Sequence, residues 1–231
     1  MLLLLGMLKK LFILTITIIF LAILAFWSPW QNWNLSWINL LGIESKEEFA
    51  GLKVISLAGD IDVYIDDEYQ GTALDGNYLE VTPINPGEHF ITLQRPSDTA
   101  QYTEIVRKVN FEPGIDVVIG YEIGPTEEFS EGHILGVRKS FISETGPFLE
   151  VFSTPENISV TIDGKYIGET PIKSLSIDAN SKHTLKFEKD GYDSLEIEIL
   201  PDEQEARDLL RDYILTLEIN LFARPVNIIS E

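Results

Sequence analysis

Two histidines at matching places in a repeated sequence are the first candidates for chemistry. His89 follows Pro86-Gly87-Glu88 and His183 follows Asn180-Ser181-Lys182, and the two align when the halves of the chain are compared. An imidazole can ligate a metal or move a proton near neutral pH. Neither histidine has a second histidine two or four residues away, as metal-binding motifs do. We therefore predict that both rings pack against a sheet edge, and that His133, between the repeats, is solvated.

A run of acidic residues in the first repeat could supply the oxygen ligands that Ca²⁺ prefers. Its members are Asp60, Asp62, Asp66, Asp67 and Glu68. Their spacing is not that of an EF-hand loop, and Asp62 precedes a core-directed valine on a strand whose alternate side chains face solvent. We interpret the run as a solvated acidic face, because most carboxylates lie at protein surfaces. A Ca²⁺-stabilised surface protein is the alternative.

The sequence lacks the motifs that other catalytic chemistry requires. It contains no cysteine, so it has no thiolate nucleophile, thiolate zinc site or disulfide. It also contains no G-x-S-x-G elbow and no Gly-rich phosphate loop. We therefore predict no catalytic, cofactor-binding or metal-binding residues, and a protein that is not an enzyme.

Exposed aromatic rings would indicate a module that binds cell-wall glycans. The candidates are Tyr64, Tyr69, Tyr78 and Tyr102 in the first repeat, and Tyr166 and Tyr192 in the second. Tyr69 and Tyr166 share a repeat position, which we attribute to packing. A row of exposed Tyr or Phe would favour glycan binding, whereas a flat surface would favour a protein-binding adaptor.

The charge of the chain is strongly negative and unevenly distributed. Residues 1–43 contain Lys9 and Lys10 and no acid, so the remainder carries 15 basic and 37 acidic residues, a net charge of −22. Phosphates require Lys and Arg for neutralisation, so this balance argues against nucleic acid as a partner. It also argues against docking of the acidic region on anionic lipid.

The N-terminal segment has the features of a membrane anchor. Leu11–Trp27 is free of charge, and its extension to Trp30 spans the ~30 Å hydrocarbon core of a bilayer as a helix. Lys9 and Lys10 place the N-terminus in the cytoplasm, and the tryptophans at 27, 30, 33 and 37 form an interfacial belt. We predict an uncleaved signal anchor, with a cleaved signal peptide as the alternative.

An internal repeat organises the rest of the chain. Val63–Ala73 (VYIDDEYQGTA) and Val160–Thr170 (VTIDGKYIGET) match at an offset of 97, and an L-x-V sequence precedes each. Alternating apolar residues and turn pairs at Asp66-Asp67, Pro86-Gly87 and Asp163-Gly164 predict short strands. Pro201–Asp212 is the exception and predicts a short helix. Each copy is near the lower size limit for one core, so we expect the copies to support each other.

The second copy carries a set of strand and turn motifs, namely an L-x-V strand, a turn at Thr154–Asn157, V-x-I-D-G, G-x-T-P at Gly168–Pro171 and Gly191-Tyr192. By these motifs it resembles a PEGA domain, and the resemblance implies a β-rich module of the kind found in prokaryotic envelope and surface-layer-associated proteins. The first copy departs from it, with Leu57–Asp60 in place of the P-E-G-A turn, Asp67 in place of the hairpin glycine and no G-Y. The resemblance implies structural motif residues and no catalytic ones.

These observations predict a mainly β protein with two tandem small β-sandwich domains behind one transmembrane helix. The segments are an anchor at 1–30, an interfacial Trp-rich segment and acidic linker at 31–51, a first domain at 52–124, a connection at 125–147 containing a strand or hairpin at Ile134–Val137, and a second domain at 148–231. The expected function is a single-pass, membrane-anchored extracytoplasmic adaptor of a prokaryotic cell envelope. Its expected partner is an envelope or surface-layer protein, or alternatively a cell-wall polysaccharide.

Overall fold

The computed structural model describes residues 49–140 and 146–225, and this part of the chain is mainly β. Its fifteen strands are β1 Ala50–Ala58, β2 Ile61–Ile65, β3 Glu68–Ala73, β4 Tyr78–Ile84, β5 Gly87–Gln94, β6 Ile105–Phe111, β7 Asp116–Glu122, β8 Glu131–Lys139, β9 Phe148–Thr154, β10 Ser159–Ile162, β11 Lys165–Glu169, β12 Ile172–Ser176, β13 His183–Glu188, β14 Leu195–Ile199 and β15 Tyr213–Asn220. One α-helix, α1, covers Gln204–Leu209.

The strands form one large sheet and two small ones. The large sheet has seven strands in the order β12-β9-β15-β8-β7-β1-β4, and the small sheets have the orders β3-β2-β5-β6 and β11-β10-β13-β14. Strands β1 to β7 therefore repeat, strand for strand, as β9 to β15. In each set the first strand pairs in parallel with the seventh. We call β1–β7 the first unit and β9–β15 the second unit.

Strand β8 joins the two units into one sheet, because it pairs antiparallel with both β7 and β15. Ile134 pairs with Ile119 and belongs to the core of the first unit. Leu135 pairs with Leu217 and packs against the core of the second unit. Adjacent residues of a strand point to opposite faces, so the two small sheets lie on opposite faces of the large sheet.

The connecting segment is thus more than a linker. The predicted strand at Ile134–Val137 is confirmed and extends from Glu131 to Lys139. Strand β8 lies at the centre of the large sheet and packs against the cores of both units. This shared strand explains how two copies of marginal size support each other. The two units share the large sheet, whereas each of two independent tandem domains would have a large sheet of its own.

The predicted hairpin turns are present in both units. Asp66 and Asp67 have φ values of 50° and 68°, and Asp163 and Gly164 have values of 51° and 76°. Both central residues of each turn are thus left-handed, as in the two-residue turn that matches the strand twist. Asp tolerates this region better than most residues, which lets the first unit dispense with the glycine.

The predicted helix is confirmed in a shorter form, as α1 followed by a 3-10 turn at Leu210–Asp212. The buried Arg207 holds helix α1 against the rest of the second unit. Its guanidinium donates to the carbonyl oxygens of Ala179 at 3.2 Å, Pro201 at 2.7 Å and Asp202 at 2.6 Å. Within residues 49–140 and 146–225, no helix combines the length and apolarity that crossing a membrane requires. The predicted anchor at 1–30 lies outside the described residues.

Candidate functional site

His89 and the hairpin residue Asp66 form a closed network in the first unit. Nδ1 of His89 lies 2.6 Å from Oδ2 of Asp66, and Nε2 donates to the carbonyl oxygen of Asn85 at 2.9 Å. The other carboxylate oxygen accepts the amide hydrogen of Phe90 at 2.9 Å. The predicted packing is also present, since the imidazole meets the Phe111 ring edge-on at 5.6 Å.

The second unit repeats the network. Nδ1 of His183 lies 2.7 Å from Oδ2 of Asp163, Nε2 donates to the Asp178 carbonyl oxygen at 2.7 Å, and Oδ1 of Asp163 accepts from the amide of Thr184 at 3.0 Å. Two acceptors flank each ring, which favours the doubly protonated imidazolium. The sequence comparison aligns the two histidines with each other and Asp66 with Asp163. It does not show that each histidine is bonded to the aspartate of its own repeat, although the shared alignment of both residue types was a signal of that pairing.

These networks shift the pKa values of their members in opposite directions. The hydrogen bond from His89 lowers the pKa of Asp66, and the same bond raises the pKa of His89. For His183, burial is the largest single effect and would lower the pKa, but the hydrogen bonds to Asp163 and to the Asp178 carbonyl, together with the charges of the two aspartates, raise it overall. Every ring nitrogen and carboxylate oxygen of the two pairs is bonded to a protein group. The pairs therefore hold the hairpins to the neighbouring strands.

His133 is not solvated, and that prediction is wrong. It lies in β8 between Gly120 of β7 and Ile219 of β15. A Cβ at Gly120 would stand 2.6 Å from Cε1 of the imidazole, so the glycine makes room for the ring. Nδ1 is buried and has no hydrogen-bond partner in the described part of the chain. Burial lowers the pKa of His133 to about 4, so the ring is neutral at physiological pH.

The acidic run of the first unit does not converge on one point. Asp60 accepts the backbone amide of Asp75 at 3.0 Å, Asp62 accepts the Thr72 hydroxyl at 2.5 Å, and Asp66 is bonded to His89. Each of these carboxylates is thus occupied by a different protein donor. Across the described residues, no three His, Asp or Glu side chains are grouped as metal ligands.

A partly exposed ionic cluster joins the two units beside β8. Arg107 of β6 forms ion pairs with Glu127, in the turn before β8, and with Glu218 of β15 at 3.6 Å. Burial raises the pKa of the adjacent Tyr121 to about 12, so its hydroxyl stays protonated. Asn220 of β15 donates to the carbonyl oxygens of Glu127 at 2.8 Å and Ser130 at 2.6 Å. The cluster fixes the turn before β8 against the second unit.

Tyr69 and Tyr166 are exposed, so the prediction that they pack is wrong. Their exposed fractions are 55% and 59%. The strand register explains the error, because a bulge in each hairpin interrupts the alternation of side chains and turns the tyrosine to the outer face. Gly71 and Gly168 lie at these bulges with φ values of 146° and 152°, which favour glycine.

Two other tyrosines occupy equivalent places in the cores. Tyr102 precedes β6 and packs against the core of the first unit, and Tyr192 precedes β14 and packs against the core of the second. Each stands three residues before the first residue of its strand, Ile105 or Leu195. The G-Y position missing from the first copy is therefore filled by Tyr102. Four extra residues in the preceding loop hid it from alignment.

An open polar cleft in the second unit is lined by Glu169, Glu188, Lys189, Tyr192 and Arg224, among others. Its two cations are already engaged. Lys189 donates to the carbonyl oxygens of Glu156 at 2.7 Å and Asn157 at 3.1 Å. Arg224 is paired with Asp193 at 2.7 Å. Neither cation is free for an anionic ligand, and the cleft has the character of a solvated surface.

The described part of the chain is thus a mainly β, sandwich-like protein whose recurring polar networks are structural. Residues 147–210 match the PEGA domain family, so the second unit contains a PEGA domain. The match covers β9 to α1 and agrees with the resemblance read from the second copy. No curated protein matches the chain.

Proposed function

We propose that this protein is a membrane-anchored, extracytoplasmic structural or adaptor protein of a prokaryotic cell envelope. The PEGA domain and the charge-free run at Leu11–Trp27 support this role. The observation that carries it is the fused seven-stranded sheet. A chain that must hold a binding surface away from a membrane benefits from units that cannot swing independently, and β8 joins both units.

The proposal includes a second, diverged PEGA-like domain in the first unit. Its strand order, its His-Asp hairpin network and its core tyrosine Tyr102 all have counterparts in the unit that contains the PEGA domain. The proposal also includes the absence of enzymatic activity. His89 and His183 support this part, because both nitrogens of each ring are bonded to protein acceptors and neither ring is free to take a substrate proton.

The anchoring role is tested by expressing the full chain with a C-terminal tag in a bacterial host. We expect the tag in the membrane fraction and accessible to protease in spheroplasts. The control carries Ile18→Lys and Ile19→Lys, which together oppose insertion by about 5 kcal/mol and should release the tag into the soluble fraction. A wild-type tag that is soluble or protected from protease in intact spheroplasts would contradict the proposal. A mature mass lacking Lys9 would indicate signal cleavage instead.

The adaptor role is tested in cells by placing a photo-reactive residue at Tyr166, which is exposed. We expect discrete adducts with an envelope protein in the anchored chain. The Ile18→Lys and Ile19→Lys variant serves as the matched control and should lose them. Adducts of equal yield in both chains would show contacts that do not depend on anchoring and would count against the role.

A further inference from the structure

An aromatic and aliphatic row crosses the outer face of the small sheet in the first unit. Cross-strand pairs place Tyr69 beside Tyr64, Tyr64 beside Thr92, and Thr92 beside Val106, so the row spans all four strands. The two tyrosine rings lie 5.4 Å apart. Phe90 stands next to the row on β5. The exposed fractions of Tyr69, Phe90 and Val106 are 55%, 54% and 46%.

The second unit provides a natural comparison, because its equivalent row is polar. The same register aligns Tyr166, Thr161, Lys186 and Glu196. Lys186 forms an ion pair with Glu188 at 2.8 Å, as expected of a solvated sheet face. The same strand order therefore forms with a largely polar outer face, so the fold does not require the apolar row of the first unit. Exposed apolar patches of this kind mark binding surfaces.

We propose that this row, with Phe90, is a binding site for a neutral polysaccharide chain. Sugar rings present C–H faces that stack on aromatic rings, and their hydroxyl groups need polar partners at the rim. The face supplies both. Asp62 accepts from the Thr72 hydroxyl at 2.5 Å beside the tyrosines, and Glu104 accepts from Gln94 at 2.7 Å beside Val106. A carboxylate has about four acceptor sites, so one such bond leaves room for a sugar hydroxyl.

The extent of the face favours a sugar chain over a folded protein. Strands lie ~4.8 Å apart, so a row across four strands is about 14 Å long, the length of about three sugar rings. An aromatic side chain offers about 200 Å² in total, so the half-exposed Tyr69 and Phe90 together offer about 200 Å², and the smaller Val106 adds less than either. A stable protein interface needs about 800 Å² on each partner.

The charge near the row selects among polysaccharides. Asp62 and Glu104 lie at its rim, Lys108 is paired with Glu88 at 2.6 Å, and residues 44–231 carry a net charge of −22. An anionic polymer would be repelled, whereas the hydroxyl and amide N–H groups of a neutral polymer find acceptors. This site goes beyond the proposed anchoring role and does not depend on it.

The test uses the full chain in lipid nanodiscs, so that detergent does not occupy the apolar row. Retention on insoluble chitin and cellulose is measured, with anionic alginate as the charge control, and affinity for N-acetylchitohexaose is measured by calorimetry. Tyr69→Ala is the test variant. Tyr166→Ala is the matched control, because it removes an equally exposed tyrosine from the same position of the other unit.

We expect retention on chitin or cellulose, none on alginate, and a loss of affinity of about tenfold in Tyr69→Ala, the effect of losing ~50 Å² of apolar contact. Tyr166→Ala should bind as the wild type does. Phe90→Ala provides a second variant if Tyr69→Ala folds poorly. Three results would overturn the proposal: no retention on either neutral polymer, equal losses in the two tyrosine variants, or a protein partner whose binding depends on Tyr69. Membrane fractionation is unaffected by any of them.

Discussion

His133 makes a specific prediction about stability and pH. Its pKa is lowered to about 4 in the folded protein by burial, against 6.5 for an exposed histidine. Below pH 6.5 the unfolded chain takes up a proton that the folded chain cannot yet accept, so stability falls as the pH falls towards 4. From these two pKa values, His133 lowers the free energy of unfolding by about 2 kcal/mol at pH 5 relative to pH 8.

The perturbation is His133→Phe, which keeps a ring in the space beside Gly120 and removes the titration. The assay is urea unfolding of the full chain in mild detergent, followed by circular dichroism at pH 5 and pH 8. The difference between wild type and variant isolates His133, because His89 and His183 are present in both chains. We expect the variant to be at least as stable at pH 8, since Nδ1 has no partner there in the described part of the chain.

The gain of the variant over wild type should then grow by about 2 kcal/mol on going to pH 5. A growth below about 0.5 kcal/mol would refute the reasoning, because even a folded-state pKa one unit higher leaves more than 1 kcal/mol. His133→Leu, a smaller apolar replacement, should show the same growth with a different stability at pH 8. Agreement between the two variants assigns the effect to the lost titration, not to ring packing.

Three further predictions concern single side chains. His183→Phe should be less stable than wild type below about pH 6.5, because the charged ring of His183 is bonded to Asp163. This loss of stability should shrink as the pH rises through the raised pKa of His183. Thermal unfolding of both chains at pH 6 and pH 9 measures the difference. Gly132→Ala should lower the free energy of unfolding by about 3 kcal/mol or prevent folding, because the new Cβ would lie 2.4 Å from a carbonyl oxygen of β7. Gly136→Ala in the same strand is the control, since its Cβ would meet only one hydroxyl oxygen at 3.3 Å. Equal melting temperatures for the two variants would contradict this prediction. Asn220→Ala should cost about 1–3 kcal/mol in urea unfolding, because it removes one donor from the Glu127 carbonyl oxygen and one from the Ser130 carbonyl oxygen. An unchanged midpoint would contradict this prediction.

Local chemistry made the strands and turns predictable. The turn at Asp163-Gly164 needs two left-handed residues, and Val160-Thr161-Ile162 before it alternates apolar and polar residues, so a short window of sequence determines the hairpin. The helix after Pro201 was predictable for the same reason, since its start signals lie within one turn.

Contacts between strands that are distant in the sequence were not predictable from a short window of residues. Ile134 and Leu135 read as part of a connecting strand, but the sequence does not say that each serves a different core. A signal was present in the unbroken apolar run at Ile134-Leu135, which is typical of a strand buried on both faces. The burial of His133 follows from that double burial. Tyr69 is exposed because a bulge lies between the pair Tyr64–Tyr69 and the next pair, Val63–Gly71. The extra residue at such a bulge shifts the strand by one position and moves side chains to the opposite face of the sheet.

The parallel arrangement of β1 and β15 has a mechanical consequence. Strand β1 runs with β7, β7 runs against β8, and β8 runs against β15, so β1 and β15 point the same way. The described chain therefore enters the large sheet at one end of the strands and leaves at the opposite end, ~25 Å away at ~3.3 Å per residue. Tension between these ends would act parallel to the strands. It would therefore load the backbone hydrogen bonds between β7, β8 and β15 simultaneously in shear, and would not break them one after another.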